Sequence, residues 1–112
     1  MTSDQLTKFY SRISFYGLMI LYGIKLSLEK RIAFDRDDFV KTVKIDSSEY
    51  MVGFLVACTS FDIVRFNMKG KVITATYLDP LIVQTIQTEI EEMAKPNEIW
   101  QNWVTLINEY FE

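Results

Sequence analysis

Residues 63–78 read IVRFNMKGKVITATYL, two runs rich in β-branched and aromatic residues, Ile63–Met68 and Lys71–Leu78, on either side of Lys69-Gly70. Glycine supplies the positive φ that a tight turn needs, so the pair predicts a β-hairpin. Along the second run Val72, Thr74, Thr76 and Leu78 fall on one face and Ile73, Ala75 and Tyr77 on the other, the alternation of a half-buried strand.

Working back from it, Val43-Lys44-Ile45 and Tyr50–Cys58 are further short runs of strand-forming composition. The polar segments Asp46-Ser47-Ser48-Glu49 and Thr59-Ser60-Phe61-Asp62 separate the runs. Together they predict an antiparallel meander of three or four strands between Phe39 and Leu78. Tyr50–Cys58 has a second reading: nine apolar or small residues after Ser47-Ser48-Glu49 fit a capped, buried helix equally well.

Working forward, Asp79-Pro80 is a helix start, with an aspartate placed to accept from free amides and a proline tolerated in the first turn. Ile82, Ile86, Ile90 and Met93 then line one face until Lys95-Pro96. A last helix from Asn97 carries Ile99, Trp100, Trp103, Val104, Ile107, Tyr110 and Phe111 as an apolar stripe. At the other end Ser3–Arg31 reads as one long helix, with Thr2 and Gln5 spaced as a capping box. Its middle, Phe15 to Ile24, is apolar on every side, and such a helix has to be covered on more than one face. The predicted fold is α+β in a single domain, 1–112: a long N-terminal helix, a three- to four-stranded antiparallel meander and two C-terminal amphipathic helices.

Composition narrows the function. A chain of 112 residues with 49% hydrophobic and 24% charged residues has the make-up of one folding domain. Twelve Lys/Arg against fifteen Asp/Glu give a net charge of −3, the wrong sign for a protein that neutralises phosphates. Arg65, Lys69 and Lys71 around Phe66 form a small basic–aromatic cluster of the kind that stacks single-stranded bases, set against that acidic balance. Cys58 is the only cysteine, in the apolar run Leu55-Val56-Ala57, and reads as a buried structural thiol. Ser3, Asp4 and Gln5 stand where a signal peptide has basic residues, and Ile13–Ile24 is too short to cross a bilayer. These features predict a cytoplasmic protein without a transmembrane span.

Catalytic chemistry has little to work with. The chain contains no histidine, which removes the commonest general base and metal ligand. No Gly-x-Ser-x-Gly or Ser-x-x-Lys motif occurs, and four glycines build no phosphate-cradling loop. Asp35, Asp37 and Asp38 begin something like a calcium loop, but Val40 replaces its glycine and Asp46 its bidentate glutamate, so a helix cap or solvated loop is the better reading. No cofactor is expected, and no enzyme.

What remains is surface. Sixteen aromatics and a first helix apolar all round exceed what a small sheet obviously covers, unless that helix lies across the sheet beneath the two C-terminal helices and everything is buried. The expected role is a non-enzymatic protein-binding domain, an acidic inhibitor or immunity-type protein, a homodimer, or both. Its predicted partner contacts are Asp35, Asp37, Asp38, Glu91 and Glu92, which would steer a basic partner, and Trp100, Trp103, Leu18 and Leu21 as apolar anchors. Two alternatives are a small-molecule domain with an apolar pocket lined by Tyr16, Met19 and Tyr22, and a peripheral membrane-complex subunit using helix 1.

Overall fold

A computed structural model describes residues 4, 15–45, 47–94 and 98–112. Their elements run α1 (Phe15–Lys30), β1 (Phe34–Asp35), α2 (Arg36–Val43), α3 (Ser48–Ser60), β2 (Val64–Lys69), β3 (Val72–Leu78), α4 (Pro80–Ala94) and α5 (Glu98–Tyr110). The fold is mixed α+β.

The 63–78 hairpin forms as its sequence predicts. Gly70 turns at φ +62°, and β2 pairs antiparallel with β3 from Val64–Leu78 to Lys69–Val72, with an irregularity between Arg65 and Phe66. The third strand departs from the prediction. It is the two-residue β1, Phe34 opposite Ile73 and Asp35 opposite Val72, so the order is β1-β3-β2 and no meander forms.

Neither of the two upstream runs read as strand-forming is a strand. Val43 ends α2, Lys44 is its left-handed cap at φ +62°, and Ile45 follows it. The cause lies upstream: Asp35 accepts from the amides of Asp37 and Asp38, starting a helix whose Phe39, Val40 and Val43 share one buried side. Tyr50–Cys58 takes the helical alternative. Ser47 accepts from the Tyr50 amide at 3.1 Å, and Met51, Leu55 and Cys58 recur at helical spacing on the buried side of α3.

α1 is the core of the molecule. Met19, Ile20, Leu21 and Ile24 have no exposure, and the helix packs against β3, α3, α4 and α5. Each such side chain contributes roughly 1.5–3 kcal/mol by leaving water. Enclosure also captures polar groups. Asn108 on α5 donates to the Tyr22 hydroxyl at 2.8 Å, and the largely buried Lys25 meets Glu29 at 2.7 Å. Gly23 lies under Phe39, where a Cβ would come within 2.6 Å of Cζ. The predicted helix from Ser3 and its Thr2–Gln5 box otherwise lie outside the described residues, Asp4 excepted, as do Asp46, Lys95, Pro96 and Asn97.

Where their side chains are described, the C-terminal helices match their stripes with one exception; the Met93 side chain lies outside the described residues. Ile82, Ile86 and Ile90 are buried on α4, and Asp79 accepts from the Leu81 amide at 2.9 Å. On α5, Trp100, Ile107 and Phe111 reach the core, but Ile99 is 64% exposed. It occupies the first turn, at the margin of the stripe, with the body of the helix beyond it. One hydrophobic core cluster draws side chains from all eight elements. No described helix is long and apolar enough to cross a membrane.

Candidate functional site

Of the predicted contact residues, the structure gathers Asp35, Asp37 and Asp38 into one turn, and each is engaged within the chain. Asp35 caps α2. Asp37 accepts a short hydrogen bond from the Ser48 hydroxyl, lies 3.2 Å from the Lys71 ammonium, and lies 3.4 Å from Nε of Arg36. The Ser48 bond, reinforced by Lys71, holds its carboxyl below the usual aspartate range. Asp38 accepts from the Tyr110 hydroxyl at 3.3 Å. Burial, then the Asp38 charge, pushes that phenol up to about 12. This turn fastens α2 to α3, the hairpin and α5. Among the described residues no three His, Cys, Asp or Glu side chains converge as metal ligands would.

The other predicted contacts are dispersed. Glu92 is exposed on α4, a different helix, and the Glu91 side chain is outside the described set. Leu18 and Leu21 are 5% and 0% exposed, and Trp100 is 8% exposed, so a second chain would reach them only by opening the core. Trp103 is half-buried, its ring 5.7 Å from that of Tyr16. Met19 and Tyr22 are buried. The basic–aromatic cluster does not assemble as a stacking platform. Arg65 pairs with Asp62 at 2.9 Å and lies over Tyr77 at 4.9 Å, while Phe66 packs against the core. Cys58 is buried, and burial pushes its thiol up to about 12, far from the thiolate a nucleophile needs.

The surface that sequence reading missed is the outer side of α3. Tyr50, Gly53, Val56, Ala57 and Ser60 are exposed along it, and Phe61 continues it at the helix end. Val56 is 56% and Phe61 70% exposed. From residue 50 to residue 61 no side chain carries a charge, so three turns of exposed helix lack the Lys and Glu that usually solvate such a face. At Gly53 an added Cβ would meet nothing within 4 Å. The strip is therefore low in the middle, with Tyr50 at one end and Phe61 at the other. Beside Tyr50 the Tyr16 ring stands edge-on at 6.1 Å, leading to Trp103 and carrying the aromatic surface onto α1 and α5. The signal was present in the sequence: placing residues 50–61 on a helix with Met51, Leu55 and Cys58 inward leaves an uncharged side outward.

No family model, curated protein or solved structure matches this chain.

Proposed function

We propose that this chain is a non-enzymatic protein-binding domain whose contact surface is the outer side of α3. The observation that carries this reading is the uncharged, exposed strip Tyr50–Gly53–Val56–Ala57–Phe61 on a chain that is otherwise one-quarter charged. Interface centres are depleted in charge and enriched in aromatic residues, and this strip has both properties. The lack of any histidine and the un-ionised Cys58 thiol leave the usual acid–base and nucleophilic chemistry without its groups. An inhibitor or immunity-type role falls within this proposal, with α3 as the contact. Of the aspartates at the start of α2, each already bonded inside the chain, Asp37 then serves to hold α3 in place.

A photo-crosslinking residue at Val56, with a control at the exposed Gln84 of α4, tests the proposal in the cells that make the protein. Discrete protein adducts from position 56, absent from position 84 and lost when Ala57→Glu is added, are expected. Identical adducts from both positions, or none from position 56, would overturn it.

A further inference from the structure

Resting on the α3 reading above, we infer that the partner of this strip is a second copy of the chain, with two α3 helices crossing antiparallel around Gly53 and Ala57.

Gly53 supplies the first argument. A glycine in mid-helix weakens the helix relative to alanine, and among the described residues of one copy nothing occupies the space its side chain would fill. Packing inside the chain therefore gives no reason for glycine here, whereas close approach of another backbone does. Gly53 and Ala57 are four residues apart on one side of the helix, the spacing that lets two helices approach closely.

Charge supplies the second. The molecule is net acidic, so two copies repel wherever their acids face each other. The outer side of α3 is where they can meet without that penalty, since Glu49 in the first turn is its only charge. Antiparallel crossing places the two Glu49 side chains at opposite ends, each near the other copy's Asp62, whose charge is paired with Arg65 at 2.9 Å, and aligns each helix dipole with its opposite, whereas parallel crossing brings the two Glu49 side chains together. It also sets Tyr50 of one copy against Ser60 and Phe61 of the other, and Gly53 against Ala57. A basic partner would find no counter-charge on this strip.

Area supplies the third. With aromatic side chains at 150–250 Å² each, the exposed parts of Tyr16, Tyr50, Val56, Ala57, Phe61 and Trp103 offer roughly 400 Å² of apolar surface per copy. Homodimer interfaces are about 65% apolar, so this corresponds to roughly 600 Å² per copy in all, the low end of specific interfaces. The strip is large enough for a reversible dimer and too small for an obligate one.

Sedimentation velocity on the full chain, from micromolar to millimolar, tests this beside Gly53→Leu and Ala57→Glu. Both sites are exposed, so both variants are expected to keep the wild-type circular dichroism, with Gly53→Leu melting no lower than wild type in dilute solution because leucine favours the helix. Wild type is expected to shift from monomer to dimer with rising concentration, and each variant to raise the dissociation constant at least tenfold. A wild-type monomer throughout the range overturns the inference, as does a dimer that neither variant weakens. A monomer that still gives position-specific adducts from residue 56 with another protein would leave the binding role standing and remove the second copy as its partner. A monomer with no such adducts would remove both.

Discussion

Gly23 of α1 and Gly53 of α3 both lie within an uncharged stretch, and these two glycines have opposite surroundings. Gly23 is overlain by Phe39, whose ring belongs to an aromatic group with Phe34, Tyr110 and Phe111 at centroid distances of 5.0–6.0 Å. Gly53 faces open space. The first glycine answers to a neighbour inside the chain; the second has none there. Lack of charge thus has two meanings: in α1 it is required by enclosure on every side, and in α3 it persists on a side that enclosure does not reach.

The contrast is broken most directly by placing the same charge on both helices. Leu21→Asp buries a carboxylate in the middle of the core, at a cost of about 5 kcal/mol or more, comparable to the whole stability of such a domain. Val56→Asp on the outer side of α3 is expected to change the stability of a single copy by no more than about 0.5 kcal/mol. Far-UV circular dichroism and urea unfolding of dilute protein separate the two. A folded Leu21→Asp, or an unfolded Val56→Asp, would reverse the assignment of core and surface.

Within α3, the inner side can be probed by alkali. Burial pushes the Cys58 thiol from 9.0 up to about 12, so the folded chain holds this proton more tightly than the unfolded chain does. A raised folded pKa contributes stability that is fully present below pH 9 and is lost as pH rises toward 12. The loss is on the order of 4 kcal/mol. Tyr110, also raised to about 12, adds to the same slope above pH 10. Urea midpoints measured across this window in wild type and Cys58→Ala should show a shallower decline in the variant. Parallel declines would mean that the inner side of α3 is wetter than its burial indicates.

Smaller, and opposite in sign, are the effects of adding one methyl group at each glycine. Gly23→Ala drives a Cβ into the buried Phe39 ring and should cost about 1–3 kcal/mol. Gly53→Ala should stabilise the single copy by roughly 0.5–1 kcal/mol, since alanine favours the helix and meets nothing. Equal signs from chemical denaturation at low concentration would erase the distinction between the two positions.

Much of this architecture was legible in the sequence, for physical reasons that also mark where reading stopped. The 63–78 hairpin and the Asp79-Pro80 start are local signals, carried by a turn glycine, an alternating strand and a cap. Val43-Lys44-Ile45 misled because three residues are too few to carry a period. The decisive group was Asp35, eight residues earlier, whose cap sets the helical phase. β1 could not be read at all, since two residues become a strand only by lying beside β3. For the proposed binding surface, the apolar excess is legible but points to α1, because the sequence does not say how many sides of an uncharged helix its own chain covers. Asp37 and Asp38, two of the acids expected to face a partner, fasten helix ends, a use that depends on Ser48, Lys71 and Tyr110 arriving from distant positions.

That fastening bears on the outer side of α3, because Ser48 lies in its first turn, two residues before Tyr50. The Asp37 carboxyl is held below the ordinary value of 3.8, first by Ser48 and then by Lys71. A lowered folded pKa contributes stability that is present above pH 3.8 and is lost as pH falls through the folded value. The side chain is 41% exposed, so the effect on stability is the smallest considered, and a direct titration is the sharper measurement. Followed by carboxyl NMR, Asp37 should titrate at higher pH in both Ser48→Ala and Lys71→Ala, with the larger displacement in Ser48→Ala. The Tyr50 amide shift should follow the same transition in wild type. If Lys71→Ala has the larger effect, a screened surface charge dominates and α3 is not tied to α2 through this bond. If Ser48→Ala does, the first turn of α3 is locked by a hydrogen bond that survives until acid removes it, and the strip beginning at Tyr50 is held rigid before any partner arrives.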